Sequence, residues 1–140
     1  MAYWLLKTEP STFSWDDQVG KGAQGEPWTG VRNHTAKRHL AAMRRGDHGF
    51  FYHSGEQKRI LGIVEVMREA YPDPTDASGK FVAVDVKAIA ALPEPVSLKD
   101  IRADPRLADM VLVRSSRLSV QPVTPAEWRL VCRRGGLPGR

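Results

Sequence analysis

The sequence predicts a small α+β domain, a mixed and partly open β-barrel of about six strands flanked by three or four short helices. Short apolar runs with period two alternate with turn-rich segments, which is the pattern of a meandering sheet. Ser14, Asn33, Ser97 and Thr124 each stand where a helix N-cap belongs. The 140 residues are the usual size of a single domain with a core of its own.

Residues 3–7 form a short aromatic and aliphatic run that stops before Pro10, as a first strand would. In "SWDDQVGKG", Ser14 and Asp17 have the spacing of a capping box, and Gly20 and Gly22 end the helix soon after. From Asn33 onward, Ala36, Leu40 and Met43 recur at helical spacing. Lys37, Arg38, Arg44 and Arg45 occupy the other faces, giving a basic amphipathic helix that Gly46 stops. Residues 48–53, 60–67 and 81–88 read as three strands of a meander, separated by "SGEQKR" and "YPDPTDASG". In the third, Val82, Val84, Val86 and Ala88 share one face while Phe81, Asp85 and Lys87 share the other, which predicts a sheet with one solvated face. Ser97 with Asp100 marks another capped turn, and residues 110–114 and 118–123 supply two more short strands around the polar "RSSR". Thr124, Pro125 and Glu127 set N-cap, N1 proline and N3 glutamate in register for a last helix through Trp128 and Val131. Gly135 and Gly136 end it, so the domain spans residues 1–134 and residues 135–140 read as a disordered tail.

A net charge of +5 favours a polyanionic partner. The single cysteine, Cys132, excludes an internal disulfide, and its spacing from Trp128 and Val131 puts it in the core. The opening "MAYWLLKTEP" has too few apolar residues before Lys7 and Glu9 for a leader or a membrane span, so a cytoplasmic protein without a membrane partner is expected.

Several chemistries fail on spacing. The glycines of residues 20–26 fall at the ends of a P-loop window, but Glu26 and Pro27 stand where lysine and a hydroxyl are needed. His34 and His39 are five apart on a helix, and His48 and His53 point to opposite faces of a strand, so no metal site is expected. His53 beside Ser54 lacks the glycine elbow of a serine hydrolase.

What remains is a set of aromatic residues interleaved with polar and basic ones, a mixture that can stack a base and read its edge. Trp4 and Trp128 sit in aliphatic spacing and belong to the core. Trp28 lies between Gly25–Pro27 and Gly30 without periodic apolar partners, so a wall of an open pocket is as good a reading as packing.

Five motifs in order, "YWLLKTEP", "WTGVRNHTAKRHL", "GFFYHS" with "ILGIVEV", "PDPT" and "RLSVQPVT", resemble the EVE domain family over nearly the whole chain. The resemblance implies a PUA-like fold, related to the YTH and ASCH domains, and a non-catalytic reader of a modified base, with modified cytosine in DNA as the leading ligand. DNA and RNA both remain open as partners, and neither cofactor nor metal is implied. The base pocket it implies begins with Lys7, Thr8 and Glu9 on the first strand. Trp28, Gly30, Val31, Arg32 and Asn33 follow from the second motif, and Tyr52, His53 and Ser54 from the third. On this reading Trp28 is the stacking wall, Asn33 or Glu9 bonds the base edge, and Lys7, Arg32, Arg114 and Arg117 hold phosphates. The rival is an ASCH-like amidohydrolase acting on acylated cytidine through Lys7, Thr8 and Glu9, although consecutive strand residues point apart.

Overall fold

The computed structural model describes residues 1–140 and shows an open six-stranded mixed sheet with five short helices, matching the expected α+β class. The strands are β1 (Tyr3–Thr8), β2 (Glu26–Pro27), β3 (His48–His53), β4 (Arg59–Pro72), β5 (Val82–Ser97) and β6 (Val120–Val123). Their order across the sheet is β2-β5-β4-β3-β1-β6, with β1 and β3 parallel and every other neighbouring pair antiparallel.

The helices are α1 (Trp15–Gly20), α2 (His34–Ala42), α3 (Leu98–Ala103), α4 (Val111–Arg114) and α5 (Pro125–Arg134). All four expected N-caps accept a backbone N–H, and Ser14 and Thr124 complete reciprocal capping boxes with Asp17 and Glu127. The expected meander is β3-β4-β5.

Three expectations need correcting. Neither face of the sheet is solvated at its centre, because two apolar clusters cover it, one containing Leu5, Phe50 and Trp128 and the other Leu6, Phe51 and Trp28. The continuous apolar runs "WLL" and "GFFY" in β1 and β3 are the signature of strands buried on both sides. In β4, Ile60 and Val64 share parity but belong to opposite clusters, because the register shift between Ile60 and Gly62 inserts one extra residue, Leu61, and inverts the alternation. Residues 110–114 are not a strand but carry the helical turn α4: the N–H of Arg114 donates to Met110 O at 3.2 Å and that of Ser115 to Val111 O at 2.7 Å, with Leu112 buried and Arg114 exposed. The tail is not loose from Gly135. Gly136 has φ +89°, its N–H donates to Arg133 O, and the N–H of Leu137 donates to Cys132 O at 2.8 Å. This left-handed closure is the reason for glycine there, and it folds Leu137 back against the core.

Cys132 is buried as expected, and burial pushes its thiol up to about 11. A second glycine is fixed by close approach: a Cβ on Gly62 would lie 2.3 Å from the Trp15 indole, so that ring packs against β4 only because the side chain is missing.

Candidate functional site

Consecutive residues at the C-terminal ends of β1 and β3 diverge to opposite faces, and this alternation builds two separate clefts. The first, of about 220 Å³, lies on the face covered by α1 and α2. Phe13, Pro27 and Trp28 form its apolar walls, and Thr8, Thr12, Thr29 and Glu26 supply the polar groups. The second, on the other face, takes Lys7, Tyr52 and Ser54. The single pocket implied by the family motif is thus divided: Thr8 and Trp28 line one cleft, Lys7, Tyr52 and Ser54 the other. Lys7 and Thr8 therefore cannot serve one substrate carbonyl together.

Trp28 is only 6% exposed. Its ring meets Phe51 edge-on at 5.6 Å and Phe13 at 6.5 Å, and its backbone N–H donates to Val84 O at 2.7 Å. The structure therefore decides for packing: Trp28 is a core side chain, and only its small remaining surface faces the cleft. Phe13 completes the aromatic corner, and Thr8 Oγ1 donates to Phe13 O at 3.0 Å, tying the loop after β1 to the strand that carries it.

The other implied residues hold the loops in place. Val31 is buried in the same cluster as Trp28. The Asn33 side chain accepts the N–H of Ala36 at 2.9 Å as the cap of α2. His53 Nε2 accepts the N–H of Trp15 at 2.9 Å, which places its proton on Nδ1, 2.7 Å from Gln57 Oε1. Glu9 is exposed, its carboxylate lying over Gly55. Of the four residues expected at phosphates, Arg32 pairs with Asp73 at 3.0 Å, Arg114 pairs with Asp109, Lys7 bonds the Ser116 carbonyl, and Arg117 is exposed.

Asp73 is the residue that motif reading passed over. Its side chain is fully buried, and it accepts Gly30 N–H at 2.8 Å, Arg32 Nη1 at 3.0 Å, and both the N–H and the hydroxyl of Thr75 at 2.7 Å. One carboxylate thereby ties the "WTGVRN" loop to the β4–β5 turn. The Asp-Pro-Thr spacing of an Asx turn was the signal for it in the sequence. Burial alone would raise this carboxyl, but the bonds from Thr75, Gly30 and Arg32 outweigh it and hold the carboxyl at about 2, against an ordinary 3.8. A depressed native value stabilises the fold above pH 4, and that contribution disappears as pH falls through about 2. Asp73→Asn is expected to cost about 1–3 kcal/mol at pH 7. Denaturant midpoints measured at pH 7 and pH 2 should show the gap to wild type closing in acid; an equal gap at both would mean that the charge is not its source.

A family model of the EVE domain matches residues 2–134. The chain is similar to a Rhodopseudomonas palustris protein solved by NMR, with 66% identity, a TM-score of 0.94, and coverage of 100% of this chain and 97% of that one. It is 30% identical to human thymocyte nuclear protein 1 over 93% of this chain and 72% of the human sequence. The crystal structure of human THYN1 protein in complex with DNA containing 5-methylcytosine is similar at a TM-score of 0.90 and 29% identity, covering 97% of this chain and 98% of that one. Matched by the family model along almost its entire length, the chain belongs to the EVE domain family.

Proposed function

We propose that this protein binds nucleic acid and reads one modified base, modified cytosine in DNA being the favoured ligand, in the cleft beside Trp28. The observation that carries the reading is the composition of that cleft: an aromatic corner of Trp28 and Phe13 with one carboxylate, Glu26, and three threonines. A flat ring of small volume fits between such walls, and Glu26 is the acceptor that the exocyclic amine of cytosine calls for. The similarity to the human protein solved with 5-methylcytosine DNA supports the same class of ligand. The net charge of +5 suits the backbone.

The test is an oligonucleotide titration at several salt concentrations, with 5-methylcytosine or cytosine at one position. Affinity is expected to fall with salt, since phosphate contacts release counterions. Burying one methyl contributes only about 0.8 kcal/mol, so the methylated strand should bind about fourfold more tightly on that ground alone. Glu26→Ala should weaken both strands by about fivefold or more, the loss of roughly 1 kcal/mol of edge recognition. Salt-independent affinity would remove the nucleic-acid reading, and an unaffected Glu26→Ala would remove the assignment of the base edge.

A further inference from the structure

The second cleft, of about 280 Å³, is lined by Lys7, Lys58 and Arg102 together with the hydroxyl residues Ser54 and Ser116 and the side chain of Tyr52. None of the three cations has a carboxylate partner within salt-bridge distance. Lys7 is held inward: its Nζ donates to Ser116 O at 2.7 Å and lies 5.6 Å from the Tyr52 ring centre. Lys58 is the one non-glycine residue with positive φ, at 47°, and its carbonyl accepts the N–H of Leu98 at 2.8 Å. A lysine in that conformation is a departure that the surrounding structure must hold in place. The turn carrying Ser116 is fixed as well, because the fully buried Gln121 donates to Ser115 O at 3.2 Å and to Leu118 O at 2.8 Å.

Three cations line one cleft and none is neutralised there by a carboxylate partner, so an anion that enters meets uncompensated positive charge. We propose that this cleft binds a phosphate group, with Arg102 as the forked donor, Lys58 as the mobile point charge and Lys7 beneath them. Guanidinium and ammonium groups have those roles at phosphates generally. The Glu9 carboxylate at the rim, over Gly55, leaves the cations in excess. The site stands whether or not the other cleft reads a base. Lys7 and Thr8 are nonetheless neighbours on β1, so a strand crossing the ends of β1 and β3 could place a base in one cleft and a phosphate in the other. The phosphate is either a linkage of such a strand or part of a free phosphorylated molecule.

The experiment uses inorganic pyrophosphate and a single-stranded oligonucleotide on wild type, on Trp28→Phe, and on the double variant Lys58→Asn/Arg102→Gln, whose two positions are exposed. Pyrophosphate should shift the backbone amide resonances of Ser54, Gly55 and Ser116, should bind the double variant at least tenfold more weakly, and should bind Trp28→Phe as it does wild type. If the double substitution also lowers the slope of log affinity against log salt for the oligonucleotide, by about 0.7 for each phosphate that is no longer neutralised, the phosphate is the strand's. An unchanged slope alongside abolished pyrophosphate binding identifies a free phosphorylated ligand. An oligonucleotide that wild type ignores, with pyrophosphate binding intact, would sink the base-reading function and leave the phosphate site standing. The proposal is overturned if the double substitution changes neither the pyrophosphate titration nor the oligonucleotide slope.

Discussion

Trp128→Ala is expected to lower the free energy of unfolding by about 3–5 kcal/mol, a large share of the roughly 5–15 kcal/mol typical of a domain. Trp128 is 1% exposed, and its indole stacks on Phe50 at 3.9 Å and on Tyr3 at 4.4 Å, so α5 is fastened to β3 and β1 through one side chain. Truncation removes both stacks and leaves a hole between a helix and the sheet that neither can readily close. The measurement is the shift in denaturant midpoint at constant m-value. Trp128→Phe should recover part of the loss. Since the indole lies on the opposite face from Trp28, the folded fraction should bind an oligonucleotide at the first cleft as wild type does. A stability change below about 1 kcal/mol would show that the stacks contribute less than their burial implies.

Trp28→Ala should fail on two axes at once. The 6% exposure and the edge contacts with Phe51 and Phe13 put its stability loss near that of Trp128, about 3 kcal/mol or more. This replaces the expectation of a freely exposed stacking wall, under which stability would hardly move. Removal of the ring from the cleft should also weaken oligonucleotide binding roughly five- to 150-fold, the loss of about 1–3 kcal/mol of base stacking. Affinity is to be measured well below the melting transition and corrected for the folded fraction. Trp28→Phe separates the two effects, because it keeps an aromatic face while giving up volume. If the folded fraction of Trp28→Ala binds as tightly as wild type, Trp28 packs the core and does not touch the ligand.

These two tryptophans show how far local pattern carries. Trp128 was legible because Thr124, Pro125 and Glu127 start its helix within four residues and the helical period then fixes its face. The same locality made α1, α2 and α3 legible, since each cap acts on residues three positions away. Trp28 was not, because its packing partners Phe13, Phe51 and Val84 come from three other segments. The two-residue β2 escaped notice for a similar reason: Glu26 and Pro27 are extended only because they pair with Val86 and Asp85 of β5. Of the residues implied for one pocket, strand alternation alone separates Lys7 from Thr8. The partners Lys58 and Arg102 enter from a turn and a helix that no motif connects. Asp73 organises its loop from more than forty positions away, beyond the reach of any period.

The place of β1 between β3 and the edge strand β6 has a consequence for how the chain acquires its structure. Tyr3 is in register with His48 on one side and with Val123 on the other, so β1 is synthesised before either of its partners and waits for the rest of the domain. Its partners are non-local, and loop closure must be completed before either reward arrives, which favours slow folding. Until β6 emerges, one edge of β1 presents unpaired N–H and C=O groups beside the apolar run "WLL", a surface prone to join a second nascent chain. Truncation after α4 should therefore yield aggregates and not a smaller soluble domain, and holding translation just before residue 120 should leave the nascent chain bound by holdase chaperones.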